Sequence, residues 1–239
     1  MLLAIGGDPA APVRLPGALP PGSVVVAADS GLDRLVAAGI TAHHVVGDLD
    51  SVTADALRHA EAAGATIHRH PADKDATDIE LALRLISERL APDALLHDLL
   101  VVGSGGGRLD HLLADVLALT APDLSHLRVT ALLGAATVSV VRPGEERVLT
   151  GTPGEQVSLL PAHGPARGVT TEGLRWALTG ADLVAGTTRA MSNELVERTA
   201  VVQVGDGVLA AIQPATIAPP IDPRTTPYDP TPRAPEGTL

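Results

Sequence analysis

An apolar run, Val45-Val46-Gly47, ends in Asp48-Leu49-Asp50-Ser51, which sets two carboxylates one residue apart. Side chains alternate faces along a strand, so this spacing predicts that Asp48 and Asp50 point the same way. Two such groups side by side repel unless a cation lies between them. Mg2+ takes oxygen ligands of this kind, usually one or two carboxylates together with substrate phosphates. The pattern predicts a metal-bound phosphate compound held at the end of a strand.

Three further groups follow apolar runs in the same way. Asp29 closes the run 24–28 and precedes Ser30-Gly31. Lys74 lies in a polar loop before Thr77-Asp78-Ile79-Glu80, where Thr77 and Glu80 form a capping-box pattern and Asp78 sits in the first helical turn. Gly103-Ser104-Gly105-Gly106-Gly107-Arg108-Leu109-Asp110-His111 is glycine-rich between a strand pattern and a helix pattern, so its backbone N–H groups can face an anion. It lacks the Gly-Lys-Ser/Thr ending of a Walker A loop, and Arg108 occupies the last glycine position of Gly-x-Gly-x-x-Gly. Each group also has a plain structural explanation. Asp29 can cap a helix, Asp78 can answer a helix dipole, Lys74 can be a solvated loop residue, and the glycines can be a connection. Histidines 43, 44, 68, 70 and 97 follow no zinc spacing, and no Gly-x-Ser-x-Gly elbow is present.

Composition narrows the classes. The 239 residues carry a net charge of −11, which argues against a nucleic-acid surface and requires local donors or a cation for any anionic substrate. There is no cysteine, so disulfides and thiolate metal sites are excluded. No apolar run reaches the roughly 20 residues that span a bilayer, and the first residues carry no signal-peptide pattern. The expectation is a cytoplasmic protein that binds neither membrane nor nucleic acid. Aromatic rings are nearly absent, with no Phe, one Tyr (Tyr228) and one Trp (Trp176). A core built without rings leaves Trp176 in Gly173-Leu174-Arg175-Trp176 either a core residue or a platform for a planar cationic heterocycle, and Ser192-Asn193-Glu194 follows a Gly/Thr-rich stretch.

These residues need elements to position them. Runs at 2–5, 24–28, 44–46, 65–68, 99–102 and 128–132 read as strands, and 31–39, 53–63, 78–90 and 109–120 as helices. Unbroken apolar strands alternating with helices predict an α/β domain over 1–135, a mostly parallel sheet flanked by helices. Beyond it, short runs such as 136–141, 156–160, 182–185 and 200–204 are separated by Gly, Pro and Thr-rich turns and predict a small all-β sandwich over 136–213. Residues 214–239 hold eight of the 20 prolines and read as an extended or disordered tail.

In order, these segments resemble the thiamine pyrophosphokinase family from about residue 24 to 212. Ala28-Asp29-Ser30-Gly31-Leu32-Asp33-Arg34-Leu35 is similar to the family's Ala-Asp-Gly-Gly-Ala-Asn-Arg-Leu, with Ser30 and Asp33 as departures. Gly47-Asp48-Leu49-Asp50-Ser51 matches Gly-Asp-x-Asp-Ser, Thr77-Asp78-Ile79-Glu80 matches Thr-Asp-x-Glu, and Gly107-Arg108-Leu109-Asp110-His111 resembles Gly-Arg-x-Asp-His. Leu174-Arg175-Trp176 and Ser192-Asn193 resemble the thiamine-side motifs, although Ala177 stands where Asn often follows the Trp.

The resemblance implies a homodimer with thiamine at the subunit interface, the Trp of the β unit facing the other chain's α/β site. It implies transfer of the terminal diphosphate of ATP to the thiamine hydroxyl, with release of AMP. Asp48, Asp50 and Asp78 would hold Mg2+-ATP with Asp29 in support. Ser51, Lys74, Thr77, Gly105, Gly106, Gly107 and Arg108 would surround the nucleotide phosphates. Asp110 would orient thiamine or accept its proton, and Trp176, Ser192 and Asn193 would bind thiamine. A related pyrophosphokinase acting on a hydroxymethylpterin, and a non-catalytic nucleotide- or thiamine-binding module, are the alternatives.

Overall fold

The computed structural model describes residues 1–8, 13–15, 18–91, 96–103 and 108–214. The expected tail beyond Pro214 therefore lies outside the described residues, as do Gly105, Gly106 and Gly107.

Six strands pair in parallel in the order β4-β3-β2-β1-β5-β6: β1 (Leu2–Ala4), β2 (Val25–Ala28), β3 (His44–Gly47), β4 (Thr66–Arg69), β5 (His97–Gly103) and β6 (Leu127–Leu133). Alternate residues of these strands serve opposite faces, which is why the inner strands β1 and β2 are apolar throughout, whereas the edge strand β4 is largely polar. Leu2, Ala4, Val25, Ala27 and Val45 pack with Leu32 and Leu35 of α1 (Gly31–Ala37) and Ala56 and Ala60 of α2 (Ala54–Ala62). Leu3, Val26, Ala28, Val46 and Val101 pack on the other face with Ile79, Ala82 and Leu83 of α3 (Asp78–Leu85). Leu119 of α4 (Leu109–Leu119) joins this second core.

The caps follow the sequence pattern. Thr77 accepts a hydrogen bond from the Glu80 N–H at 3.4 Å and starts α3. The helix expected over 78–90 instead changes winding after Leu85, with a π-helical turn at Ile86–Leu90 closed by the Ala91 N–H bonding Ile86 O at 2.8 Å. The wider turn keeps Ile86 fully buried.

The β-rich second part does not form a separate sheet edge. β7 (Ala136–Val141) turns back antiparallel on β6, and the order continues β7-β13-β9-β12-β8. These are β8 (Arg147–Thr150), β9 (Gln156–Glu172), β12 (Thr199–Gln203) and β13 (Asp206–Gln213), with β10 (Ala181–Leu183) and β11 (Asn193–Glu194) also pairing β9. Val138 and Val140 of β7 face the α/β core, while Val141 faces a second core with Leu149, Leu159, Leu183 and Val202. β13 is shared likewise, with Val208 and Ala210 on one side and Leu209 and Ala211 on the other. β9 is far longer than the expected 156–160 run. Its first half pairs β13 and its last residues pair β12, so it turns the corner between layers.

Candidate active site

In an open parallel sheet, ligands bind beyond the carboxyl ends of the strands, where the strand order reverses. Here the order reverses at β1, which has β2 on one side and β5 on the other. A cleft of about 600 Å3 lies at that edge. Its walls include Gly6 and Asp8 after β1, Asp29 after β2, Asp48 and Asp50 after β3, and Asp78 opening α3.

Oxygens of Asp29, Asp48 and Asp78 lie within 4.8 Å of one another, the one such group of metal-capable side chains among the described residues. Lys74 sits among them. Its Nζ is 2.6 Å from Asp48 Oδ2 and 3.0 Å from Asp78 Oδ1, and all three side chains are mostly buried. The hydrogen bond from Lys74 holds the Asp48 carboxyl below its usual range. Burial works to lower the Lys74 ammonium, but its bonds to Asp48 and Asp78 overcome this and leave it above the ordinary lysine value. Burial pushes Asp29 up, opposed by the Ser30 backbone N–H and reinforced by the charges of Asp78, Asp50 and Asp48. Asp29 Oδ1 is buried without a donor, and Asp78 Oδ1 has none aligned on it although the ammonium is 3.0 Å away. Buried carboxylate oxygens left bare are costly, and a hard divalent cation is the partner such an all-oxygen set suits.

The backbone is bent to make this arrangement. Gly47 has φ 145°, and a Cβ there would lie 3.0 Å from Asp78 Oδ1. Asp29 and Leu49 adopt φ of 45° and 65°, a left-handed conformation rare for non-glycine residues and concentrated at functional sites. β3 ends at Gly47, so the alternation expected to align Asp48 with Asp50 does not operate beyond it. Asp50 is exposed on the cleft wall, accepts from Ser51 Oγ at 2.9 Å, and lies outside the three-carboxylate group. Asp29, expected only in support, is a full member of that group.

Thr77 and Ser51 line the cleft. Arg108 reaches it from the start of α4, with its guanidinium bonded to both oxygens of Asp110 at 3.2 and 2.6 Å. That pairing brings the exposed Asp110 carboxyl down to about 2. Several cleft residues were given no role from sequence, among them Asp8 and, on α4, the pair His111 and Asp115. Their four-residue spacing, one helical turn along from Arg108, is the signal that could have found them. Asp33, a departure from the family pattern, has a structural role, since it accepts bonds from the Thr53 N–H and hydroxyl and so ties α1 to the start of α2.

Trp176, Ser192 and Asn193 lie elsewhere. Among the described residues, none beyond Asp115 lines the cleft. The Trp176 side chain is 53% exposed, and the Arg175 guanidinium stands 5.0 Å over its ring. Asn193 is buried and spends its amide on the Trp backbone, accepting from Trp176 N–H at 3.0 Å and donating to Trp176 O at 2.8 Å. Ser192 is exposed, has φ 53°, and its N–H bonds Ser158 Oγ at 3.1 Å.

Fold and site together define an α/β protein with a cleft suited to a cation-paired, phosphorylated ligand. The model described as thiamin pyrophosphokinase, catalytic domain, matches residues 19–131, and that described as thiamin pyrophosphokinase, vitamin B1 binding domain, matches 144–209. The chain belongs to the thiamine pyrophosphokinase family. A thiamine pyrophosphokinase of Bacillus subtilis is 27% identical over 188 residues, covering 79% of this chain and 86% of that protein. The crystal structure of the B. subtilis thiamine pyrophosphokinase superposes with a TM-score of 0.74 over 91% of this chain and all of that one, at 24% identity. A family protein from Enterococcus faecalis gives 0.68 at 26% identity, covering 89% and 97%. Among the described residues, no helix is long and apolar enough to cross a membrane.

Proposed function

We propose that the protein is a thiamine diphosphokinase, moving diphosphate from ATP to the thiamine hydroxyl and releasing AMP. The observation that carries this reading is the group of Asp29, Asp48 and Asp78 around Lys74 at the carboxyl edge of the sheet. In this reading Asp48 and Asp78, with Asp29 beside them and Asp50 on the rim, hold Mg2+ and through it the nucleotide phosphates. When bound, that ion neutralises charge on the transferred diphosphate.

The chain's own residues do the rest. Lys74, beside Asp48 and Asp78, would offer its ammonium to the phosphates, and Arg108 offers a planar donor fork to a phosphate oxygen. Ser51 and Thr77 face the nucleotide. The hydroxyl oxygen attacks the β-phosphorus in line. The bond to the oxygen shared with the α-phosphate breaks, and AMP leaves with the electron pair.

The 1–135 and 136–213 units divide the work, the first holding ATP and the second thiamine. Among the described residues none beyond Asp115 lines the cleft; in this reading a second copy of the chain supplies Trp176, and the active unit is a cytoplasmic homodimer. Thiamine stacks on Trp176, with Ser192 beside it and Asn193 holding the Trp backbone in place. Replacing Trp176 with Ala is expected to raise the KM for thiamine about 5–30-fold, the loss of a 1–2 kcal/mol cation–π contact, with the KM for ATP unchanged. Equal KM values for thiamine in both proteins would remove Trp176 from the site.

The assay is AMP release from Mg-ATP with thiamine, a hydroxymethylpterin or no acceptor. Thiamine-dependent AMP with thiamine diphosphate supports the reading. AMP only with the pterin overturns the acceptor, and ATP binding without AMP overturns catalysis.

A further inference from the structure

We propose that Asp115 is the catalytic proton acceptor for the substrate hydroxyl, positioned on the α4 wall of the cleft that holds the carboxylate–lysine group. The proposal rests on the diphosphate-transfer reading above. Attack by a hydroxyl on phosphorus releases one proton, and a positioned base near its working pH removes it most effectively.

The cleft's other carboxylates are committed. Asp29, Asp48 and Asp78 face Lys74 and the cation position. Asp50 accepts from Ser51, and Asp8 lies beside Arg34, whose guanidinium bonds its carbonyl at 2.8 Å. Asp110, the acceptor suggested by sequence, is clamped by Arg108 and too acidic to hold a proton near neutrality. Asp115 is half-buried on the cleft wall, and its carboxyl makes no hydrogen bond to any described residue. Burial pushes that carboxyl up to about 6, with only His111, one turn earlier on α4, pulling it back. The remaining charged groups around the cleft are Arg108 on α4 and the carboxylates of Asp8, Asp29, Asp48, Asp50 and Asp78 opposite the helix. None of them is an ion-pair partner of Asp115.

The step balances without a further reactant. The thiamine oxygen bonds the β-phosphorus, its proton passes to an Asp115 oxygen, and AMP departs with the electron pair of the broken P–O bond. Asp115 then returns the proton to water through the open cleft.

The test compares wild type, Asp115→Asn and Asp115→Glu for kcat and KM between pH 5 and 9, after wild type has been shown to make AMP with thiamine. Wild type should lose kcat on the acid side with a midpoint near 6. Asp115→Asn should lower kcat about 10²–10⁴-fold and erase that limb. The KM for Mg-ATP should stay within about threefold, and Asp115→Glu should restore part of the rate. Carboxyl 13C NMR of the protein without substrates gives a readout independent of turnover: a resonance with a midpoint near 6, absent from the Asn variant. An Asn variant that keeps its acid limb and a kcat within about tenfold of wild type overturns the assignment. Wild type inactive with thiamine is a different failure, that of the underlying reading, and the base assignment falls with it.

Discussion

Asp48→Asn is expected to cut thiamine-dependent AMP formation by about 10²–10³-fold or more, the usual loss when a preorganised electrostatic contact to a reacting group is removed. The carboxylate has two roles in this site. It pairs Lys74 at 2.6 Å and, in the proposed function, would help hold the cation. Asn keeps the shape and one oxygen but removes the charge, so the fold should survive with an unchanged circular dichroism spectrum. Asp50→Asn should cost less, because Asp50 is exposed and outside the three-carboxylate group. The comparison is made at saturating Mg-ATP and thiamine. If Asp48→Asn turned over within about tenfold of wild type, the metal and phosphate reading of this edge would collapse.

Gly31→Ala should be the most damaging small substitution in the fold. Gly31 opens α1 directly against β1, and a Cβ there would lie 2.5 Å from the Ala4 carbonyl carbon and 2.9 Å from the Ile5 N, closer still to the Ala4 oxygen. These are backbone atoms of a fully buried central strand, so no flexible side chain can give way. Overpacking of this severity costs about 3 kcal/mol or more. For a chain of this size that lowers the melting temperature by about 6–12 °C. Because Ser30 and Asp29 immediately precede Gly31, the shift would also displace the site. A melting temperature within about 2 °C of wild type would show that helix and strand can part cheaply.

Much of the fold was readable because burial on both faces leaves an unmistakable trace. The inner strands β1 and β2 are apolar at both phases, β6 alternates and the edge strand β4 is largely polar, and Thr77-x-x-Glu80 announces the start of α3. β13 was missed because Asp206-Gly207 reads as a turn and Ala210-Ala211 carries little strand preference; pairing on both sides holds it extended. Asp48, Lys74 and Asp78 were legible because each follows a strand. Which carboxylates converge was not, since it depends on the positive φ of Asp29 and Leu49; Asp tolerates that conformation but does not require it, and Leu gives no sign of it. Asp115 was hidden for a different reason: its helical spacing from Arg108 and His111 marks a shared face but becomes a site only once the cleft beside that face is known.

The hydrogen-bonded path β6-β7-β13-β9 has a mechanical corollary. A ladder running unbroken from the cleft-bearing sheet into the strands that carry the Trp176 segment offers no hinge at which one half could fold onto the other. In the proposed function, gathering Trp176 onto the cleft would then be an encounter between molecules, and turnover per chain would acquire an order in protein. Serial dilution at fixed substrate should make specific activity fall once the concentration passes below the dissociation constant of the pair, and adding an inactive Asp48→Asn chain with intact Trp176 should partly restore it. A specific activity flat to the lowest measurable concentration would mean that one chain suffices, or that the pair never separates, and sedimentation at the same dilution distinguishes the two.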